Sequence, residues 1–126
     1  MTKRILIIDD EPSVRDAFEL ALTGTGYRVE CAVDGVAGVE AASRFCPDLV
    51  FLDLKMPGID GVETLRRLAH QHQPLPPVYF VTAFAREFVE LLQRARTEKL
   101  AFQLATKPLT VEQIRQIALV AIGAPE

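Results

Sequence analysis

Nowhere in these 126 residues does an apolar run approach the roughly 18 residues that a membrane-spanning helix requires, so no transmembrane span is expected. The first residues, Met1-Thr2-Lys3-Arg4, lead straight into a short apolar strand. The longer apolar core and small-residue cleavage site of a secretory leader are missing, which makes the cytoplasm the expected location. Cysteine is scarce: Cys31 and Cys46 make no disulfide framework, and both are expected to be buried reduced thiols. His70 and His72 alternate in a polar, proline-rich connector without a third ligand nearby, which reads as solvated loop rather than metal site. Gly24-Thr25-Gly26 is too short to cradle a phosphate, and turn glycines explain it. Positive charge is in deficit, with 14 Lys and Arg against 17 Asp and Glu for a net charge of −3. Such a chain is a poor binder of nucleic acid by itself. No internal repeat, low-complexity segment or interdomain linker is visible, and the length suits one domain over residues 1–126.

What the chain does have is four apolar runs that each stop on a reactive polar residue. Ile5-Leu6-Ile7-Ile8 ends in Asp9-Asp10-Glu11, and Leu49-Val50-Phe51-Leu52 ends in Asp53. Val78-Tyr79-Phe80-Val81 ends in Thr82, and the stretch from Ala101 to Thr106 ends in Lys107-Pro108. Short apolar runs bounded by turn residues read as buried strands of a parallel sheet, whose ligand site lies beyond the carboxyl ends of the strands. Helical patterns alternate with them, giving an α/β domain of five strands and five helices with helices on both sheet faces. Glu11-Pro12 starts a first helix with Val14, Ala17, Phe18 and Ala21 inward, ended by Gly24 or Gly26. Tyr27 to Ala32 reads as the second strand. Asp34-Gly35 is a turn before a helix through Phe45 with Val36, Val39 and Ala42 or Ser43 inward. A loop from Leu54 to Asp60 precedes a third helix marked by Val62, Leu65, Leu68 and Ala69, and a fourth, charged helix runs from about Arg86 to Arg96. On that helix and its exit Arg86, Arg94, Arg96 and Lys99 interleave with Glu87, Glu90 and Glu98, the pattern of a mixed solvated face. Thr110-Val111-Glu112-Gln113 fits a capping box at the start of a last helix. There Ile114, Ile117, Ala118 and Ala121 suffice for a core stripe, and Leu119, Val120 and Ile122 add apolar surface that suits a partner or self-association.

At the strand ends Asp9, Asp10 and Asp53 would lie within a few ångströms of one another, and like charges that close need compensation. A hard divalent cation compensates them, and Mg2+ suits a site with few carboxylates and several waters. A backbone carbonyl just past Asp53, most naturally that of Lys55, could supply another oxygen. Lys107 adds a point charge and Thr82 a hydroxyl donor. Cation, ammonium and hydroxyl together suit a phosphoryl group with charge on its equatorial oxygens. A carboxylate beside the metal can accept that group as an acyl phosphate, and Asp53 is the best candidate because the other two acids are needed for the metal.

The constellation Asp9-Asp10, Asp53, Thr82 and Lys107-Pro108 resembles the receiver domain of two-component response regulators, of the single-receiver chemotaxis type. So do the phrases Ile-Leu-Ile-Ile-Asp-Asp-Glu-Pro, Leu-Asp-Leu-Lys-Met-Pro-Gly-Ile-Asp-Gly and Val-Thr-Ala. The resemblance implies a flavodoxin-like, doubly wound sheet of strand order 2-1-3-4-5. It implies that Asp53 takes phosphate from a sensor histidine kinase or a histidine phosphotransfer protein. It further implies that Asp10 ligates Mg2+ directly and Asp9 through water, that Lys107 holds the phosphoryl group, and that Thr82 swings towards it. The signal would pass to the face made by the last two helices and the fifth strand, for an effector, an output domain or a second copy. Two departures stand out. Leu104 holds a position where the family usually has an aromatic, with Phe102 nearby, and the run from Thr82 to Lys107 is longer than the family habit, with Thr97-Glu98-Lys99-Leu100 at its turn. Two rivals remain: a receiver excised from a longer transcription regulator or hybrid kinase, and a small aspartyl-phosphate phosphatase. Against the phosphatase, its nucleophile belongs in an Asp-x-Asp on the first strand, whereas here it would sit on the third.

Overall fold

The structure, a computed structural model, describes residues 2–83 and 85–125. Met1 and the side chain of Glu87, which entered the readings of the N-terminus and of the charged helix face, lie outside the described residues. Five strands, β1 (Arg4–Ile8), β2 (Arg28–Ala32), β3 (Leu49–Leu52), β4 (Val78–Thr82) and β5 (Gln103–Thr106), form one parallel sheet in the order β2-β1-β3-β4-β5. Between and after them come α1 (Pro12–Leu22), α2 (Gly35–Phe45), α3 (Gly61–Gln71), α4 (Val89–Thr97) and α5 (Val111–Ile122), with a 3-10 turn over Ala85–Phe88 ahead of α4. The expected flavodoxin-like order is therefore the one observed. No helix among the described residues is long and apolar enough to cross a membrane.

Strand alternation divides the core in two. Ile5, Ile7, Leu49, Phe51 and Val81 point to the face covered by α1 and α5, where they meet Phe18, Ala21, Leu22, Ile114 and Ala118. Leu6, Ile8, Val50, Leu52 and Phe80 point to the face covered by α2, α3 and α4, against Phe45, Leu65, Leu68 and Leu92. Central strands buried on both faces have no polar side to show, which explains the unbroken apolar runs of β1 and β3.

The helix starts are chemical. Pro12 occupies the first turn of α1, Asp34 Oδ1 accepts from the Ala37 N–H at 2.8 Å to cap α2, and Asp60 Oδ1 accepts from the Glu63 N–H at 2.8 Å to cap α3. At α5 both halves of the capping box form: Thr110 Oγ1 accepts from the Gln113 N–H at 3.1 Å, and Gln113 Oε1 accepts from the Thr110 N–H at 2.8 Å.

Several expectations shift. Val36 is exposed and so is Ser43, whereas Ala42 is buried and Val39 packs against the core as expected; Gly35, Gly38, Ala41 and Phe45 complete the inner face of α2. A Cβ on Gly38 would lie 2.4 Å from Ile8 Cδ1, so this helix packs by closeness rather than by bulk. Ala17 is exposed, at the rim of a groove beside α5. Cys46 is exposed at the left-handed C-cap of α2 (φ 51°), whereas Cys31 is half-buried with its thiol pushed up to about 12 by burial and by Glu19. His70 lies in the last turn of α3 rather than in a connector. Ile122 packs against the α1/α5 core, which leaves Leu119 and Val120 as the exposed surplus of α5.

The exit of α4 is a Schellman motif: the Leu100 N–H donates to the Ala95 carbonyl at 3.0 Å and the Lys99 N–H to the Arg96 carbonyl at 2.9 Å. Its left-handed position is held by Lys99 (φ 60°), where glycine would sit without strain. Glu98 then reaches Arg66 on α3 through two 2.6 Å bonds, so the lengthened run is tied down.

Candidate functional site

The carboxyl ends of β1, β3, β4 and β5 open into one cleft of about 610 Å³, lined by Asp10, Glu11, Asp53, Lys55, Thr82 and Lys107 together with Met56, Pro57, Ala83 and Phe88. Five of the six residues expected there line it, including Lys55, whose backbone carbonyl was the expected extra oxygen donor. The sixth, Asp9, is buried just behind. One carboxylate oxygen from each of Asp9, Asp10 and Asp53 lies within 4.8 Å of the others, and Asp10 is the open member of the three.

Local structure fixes each group. The Asp9 N–H donates to the Ala32 carbonyl at 3.1 Å, Asp9 Oδ1 accepts from the Glu11 N–H at 2.9 Å, and the Asp9 carbonyl accepts from Arg15 at 2.7 Å. Asp53 follows β3 with its N–H on the Ile8 carbonyl at 3.0 Å. After it the loop tucks Leu54 and Met56 into the core, leaves Lys55 exposed, and closes where the Gly61 N–H donates to the Leu54 carbonyl at 2.8 Å. Only glycine permits that closure, since a Cβ at Gly61 would stand 2.5 Å from the Asp53 carbonyl oxygen. Thr82 is buried at the end of β4, and its carbonyl accepts from the Lys107 N–H at 2.9 Å, which sets the two side by side. A cis peptide joins Lys107 to Pro108.

Lys107 Nζ lies 2.9 Å from Asp9 Oδ2 and 3.5 Å from both Asp53 Oδ2 and Glu11 Oε1. Burial works against the ammonium, yet its hydrogen bond to Asp9 and the charges of Asp53, Asp9 and Glu11 keep its pKa above the ordinary lysine value. Asp53 is pushed up to about 6 by burial, then by the Asp9 charge and weakly by Asp10, against the pull of Lys107. One ammonium thus leaves a buried carboxylate only part-compensated, and a hard divalent cation against the three acids would supply the rest. The acids, the open side at Asp10 and the oxygen-only donor set fit Mg2+.

Glu11, the last residue of the polar stop after β1 and the start of α1, also faces Lys107. Phe88 fell inside what reads as a charged helix, and the 3-10 turn that carries its ring to the cleft leaves no periodic signal. Leu104, at the edge of the sheet, is 39% exposed, while Phe102 packs edge-on against Phe80 with ring centroids 5.2 Å apart.

Residues 5–119 match the response regulator receiver domain family. The DNA-binding dual master transcriptional regulator RpaA of Synechocystis sp. is 37% identical over 112 residues, covering 88% of this chain and 45% of that protein. The regulatory protein AtoC of Escherichia coli is 32% identical over 114 residues, covering 90% of this chain and 24% of that protein. The chain therefore spans less than half the length of either relative. Among solved structures, the receiver domain of NtrX from Brucella abortus superposes with a TM-score of 0.77 at 28% identity, covering 94% of this chain and 97% of that one. The chemotaxis response regulator CheY4 of Vibrio cholerae superposes with a TM-score of 0.82 at 24% identity, covering 97% of this chain and all of that one, and shares the fold.

Proposed function

This chain belongs to the response regulator receiver domain family of two-component signalling, and from that premise we propose that it is a phosphorylation-dependent switch whose acceptor is Asp53. The observation that carries the reading is the Lys107 ammonium set between Asp9 and Asp53, at 2.9 Å and 3.5 Å, in a three-carboxylate cluster open to a cleft. A sensor histidine kinase or histidine phosphotransfer protein presents a phosphohistidine at that cleft. An Asp53 carboxylate oxygen forms the new O–P bond while the donor N–P bond breaks, and its electron pair leaves with the imidazole nitrogen. Lys107 holds the transferred oxygens and Thr82 donates a hydrogen bond to one of them. Receiver domains generally bind Mg2+ at an acidic aspartate cluster; here Asp10, Asp53, Asp9 through water and the Lys55 carbonyl would hold it, and when bound it supplies charge neutralisation at the phosphoryl oxygens.

The modification alters the face of α4, β5 and α5, where Leu104, Leu119 and Val120 are exposed apolar side chains that suit an effector, an output domain or a second copy. Residues 1–126 act as one cytoplasmic receiver, either alone or at one end of a longer regulator of the kind RpaA and AtoC represent. Direct nucleic-acid binding is no part of this unit, and its catalysis is confined to its own modification. Thermal unfolding tests the reading: beryllofluoride added to the Mg2+-loaded protein raises the midpoint of the wild type and leaves that of Asp53→Asn unmoved. An equal response in both proteins would place the acceptor elsewhere.

A further inference from the structure

Phe88 stands between two hollows. On the inner side it lines the cleft with Asp53, Thr82 and Lys107. On the outer side it lines a second hollow of about 410 Å³ with Arg86, Val89, Glu90 and Leu91. The residue is half-buried and packs against the core beneath α3 and α4. It is thus a wall common to the proposed phosphorylation site and the outer surface of α4.

The helix that follows is held unevenly. In its last turn Ala95 is buried and the Schellman motif closes the helix, Leu92 is buried nearer the middle, and Glu98 is gripped by Arg66, which also pairs with Glu63. The Arg96 guanidinium lies 5.7 Å from the centre of the Phe102 ring, which packs on Phe80. At its N-terminal end there is a 3-10 turn, Phe88 provides no side-chain cap, and Val89 is 48% exposed.

We propose that Phe88 is a positioning residue that carries the occupancy of the Asp53 cleft to the outer surface of α4, with the helix pivoting on its Arg66-held C-terminal end. The proposal rests on Asp53 being the phosphoryl acceptor. A phosphoryl group and its ordered waters fill part of the cleft, and an apolar ring is a poor neighbour for that charge. The ring yields outward, where the second hollow offers room, and Val89, Glu90 and Leu91 move with it because they share its turn. Coupling of this kind runs through packed side chains that have two arrangements, one for each state of the cleft.

Hydrogen exchange read by mass spectrometry on the full chain, with and without Mg2+ and beryllofluoride, tests it against Phe88→Ala and Phe88→Leu. In the wild type the ligand changes exchange in the loop after Asp53 and over residues 86–92, with residues 95–100 unchanged. In Phe88→Ala the first change remains and the second is lost, and in Phe88→Leu, which keeps contact with the core, the second is reduced. A full response at residues 86–92 in either variant overturns the proposal, and the leucine variant decides if the alanine variant fails to fold. A wild-type response confined to the Asp53 loop, or one equally large at residues 95–100, also overturns it. No response anywhere in the wild type would instead defeat the acceptor reading on which it rests.

Discussion

Replacing Asp53 by Asn should make the metal-free protein more stable, although the residue sits at the centre of the proposed chemistry. Burial first, and then the Asp9 charge, raise the Asp53 pKa from 3.8 to about 6. Between those two values the folded state holds more protons than the unfolded one, so stability is highest below pH 3.8 and falls as pH rises through 6. Once both states are ionised the deficit is about 3 kcal/mol, from 1.36 kcal/mol per pH unit. Asparagine imitates the protonated carboxyl and escapes this cost. At pH 7.5 in EDTA the variant should gain about 3 kcal/mol, or on the order of 10 °C in Tm. At pH 4.5 the same linkage leaves a gain of only about 1 kcal/mol. Mg2+ should narrow the difference at pH 7.5, because the cation compensates the wild-type carboxylate and has less to bind in the variant. Chemical denaturation at both pH values measures all three quantities. A variant less stable than wild type, or a gain equal at both pH values, would refute the argument that Asp53 is a buried acid left short of compensation.

Other expectations follow from single contacts. Asp10→Asn should weaken Mg2+ binding, so that a concentration ten times the wild-type Kd, which stabilises the wild type by about 1.4 kcal/mol, does far less for the variant; an unchanged titration would move the metal elsewhere. Lys99→Gly should stabilise by about 0.5–1 kcal/mol by relieving the left-handed residue that follows the C-cap of α4, which urea unfolding would resolve. Gly61→Ala should cost about 1–3 kcal/mol, because its new methyl would meet the Asp53 carbonyl, a backbone atom with little freedom to retreat.

The sheet and most of the cleft are legible in the chain because central parallel strands must be apolar throughout and must end where the chain turns polar. Asp9, Asp10, Asp53, Thr82 and Lys107 all announce themselves at such ends. The inner face of α2 does so only at Val39 and Ala42, since Gly35, Gly38 and Ala41 bury the helix by close approach and leave Val36 outside. β5 begins at Gln103, later than its apolar beginning suggests, because an edge strand with exposed positions carries little pattern. Phe88 and Glu11 belong to the cleft through local geometry: a 3-10 turn in one case, and in the other a helix start that also faces an ammonium. Cys46 is exposed because it ends α2 in a left-handed turn, whatever its preference for burial.

Intact-mass spectrometry after incubation with acetyl phosphate and Mg2+ shows whether Asp53 itself carries the phosphoryl group. Wild type should gain one phosphoryl group, lost again in mild base as an acyl phosphate is, and Asp53→Asn should gain none. A phosphoryl group of the same yield on Asp53→Asn would put the acceptor on another residue.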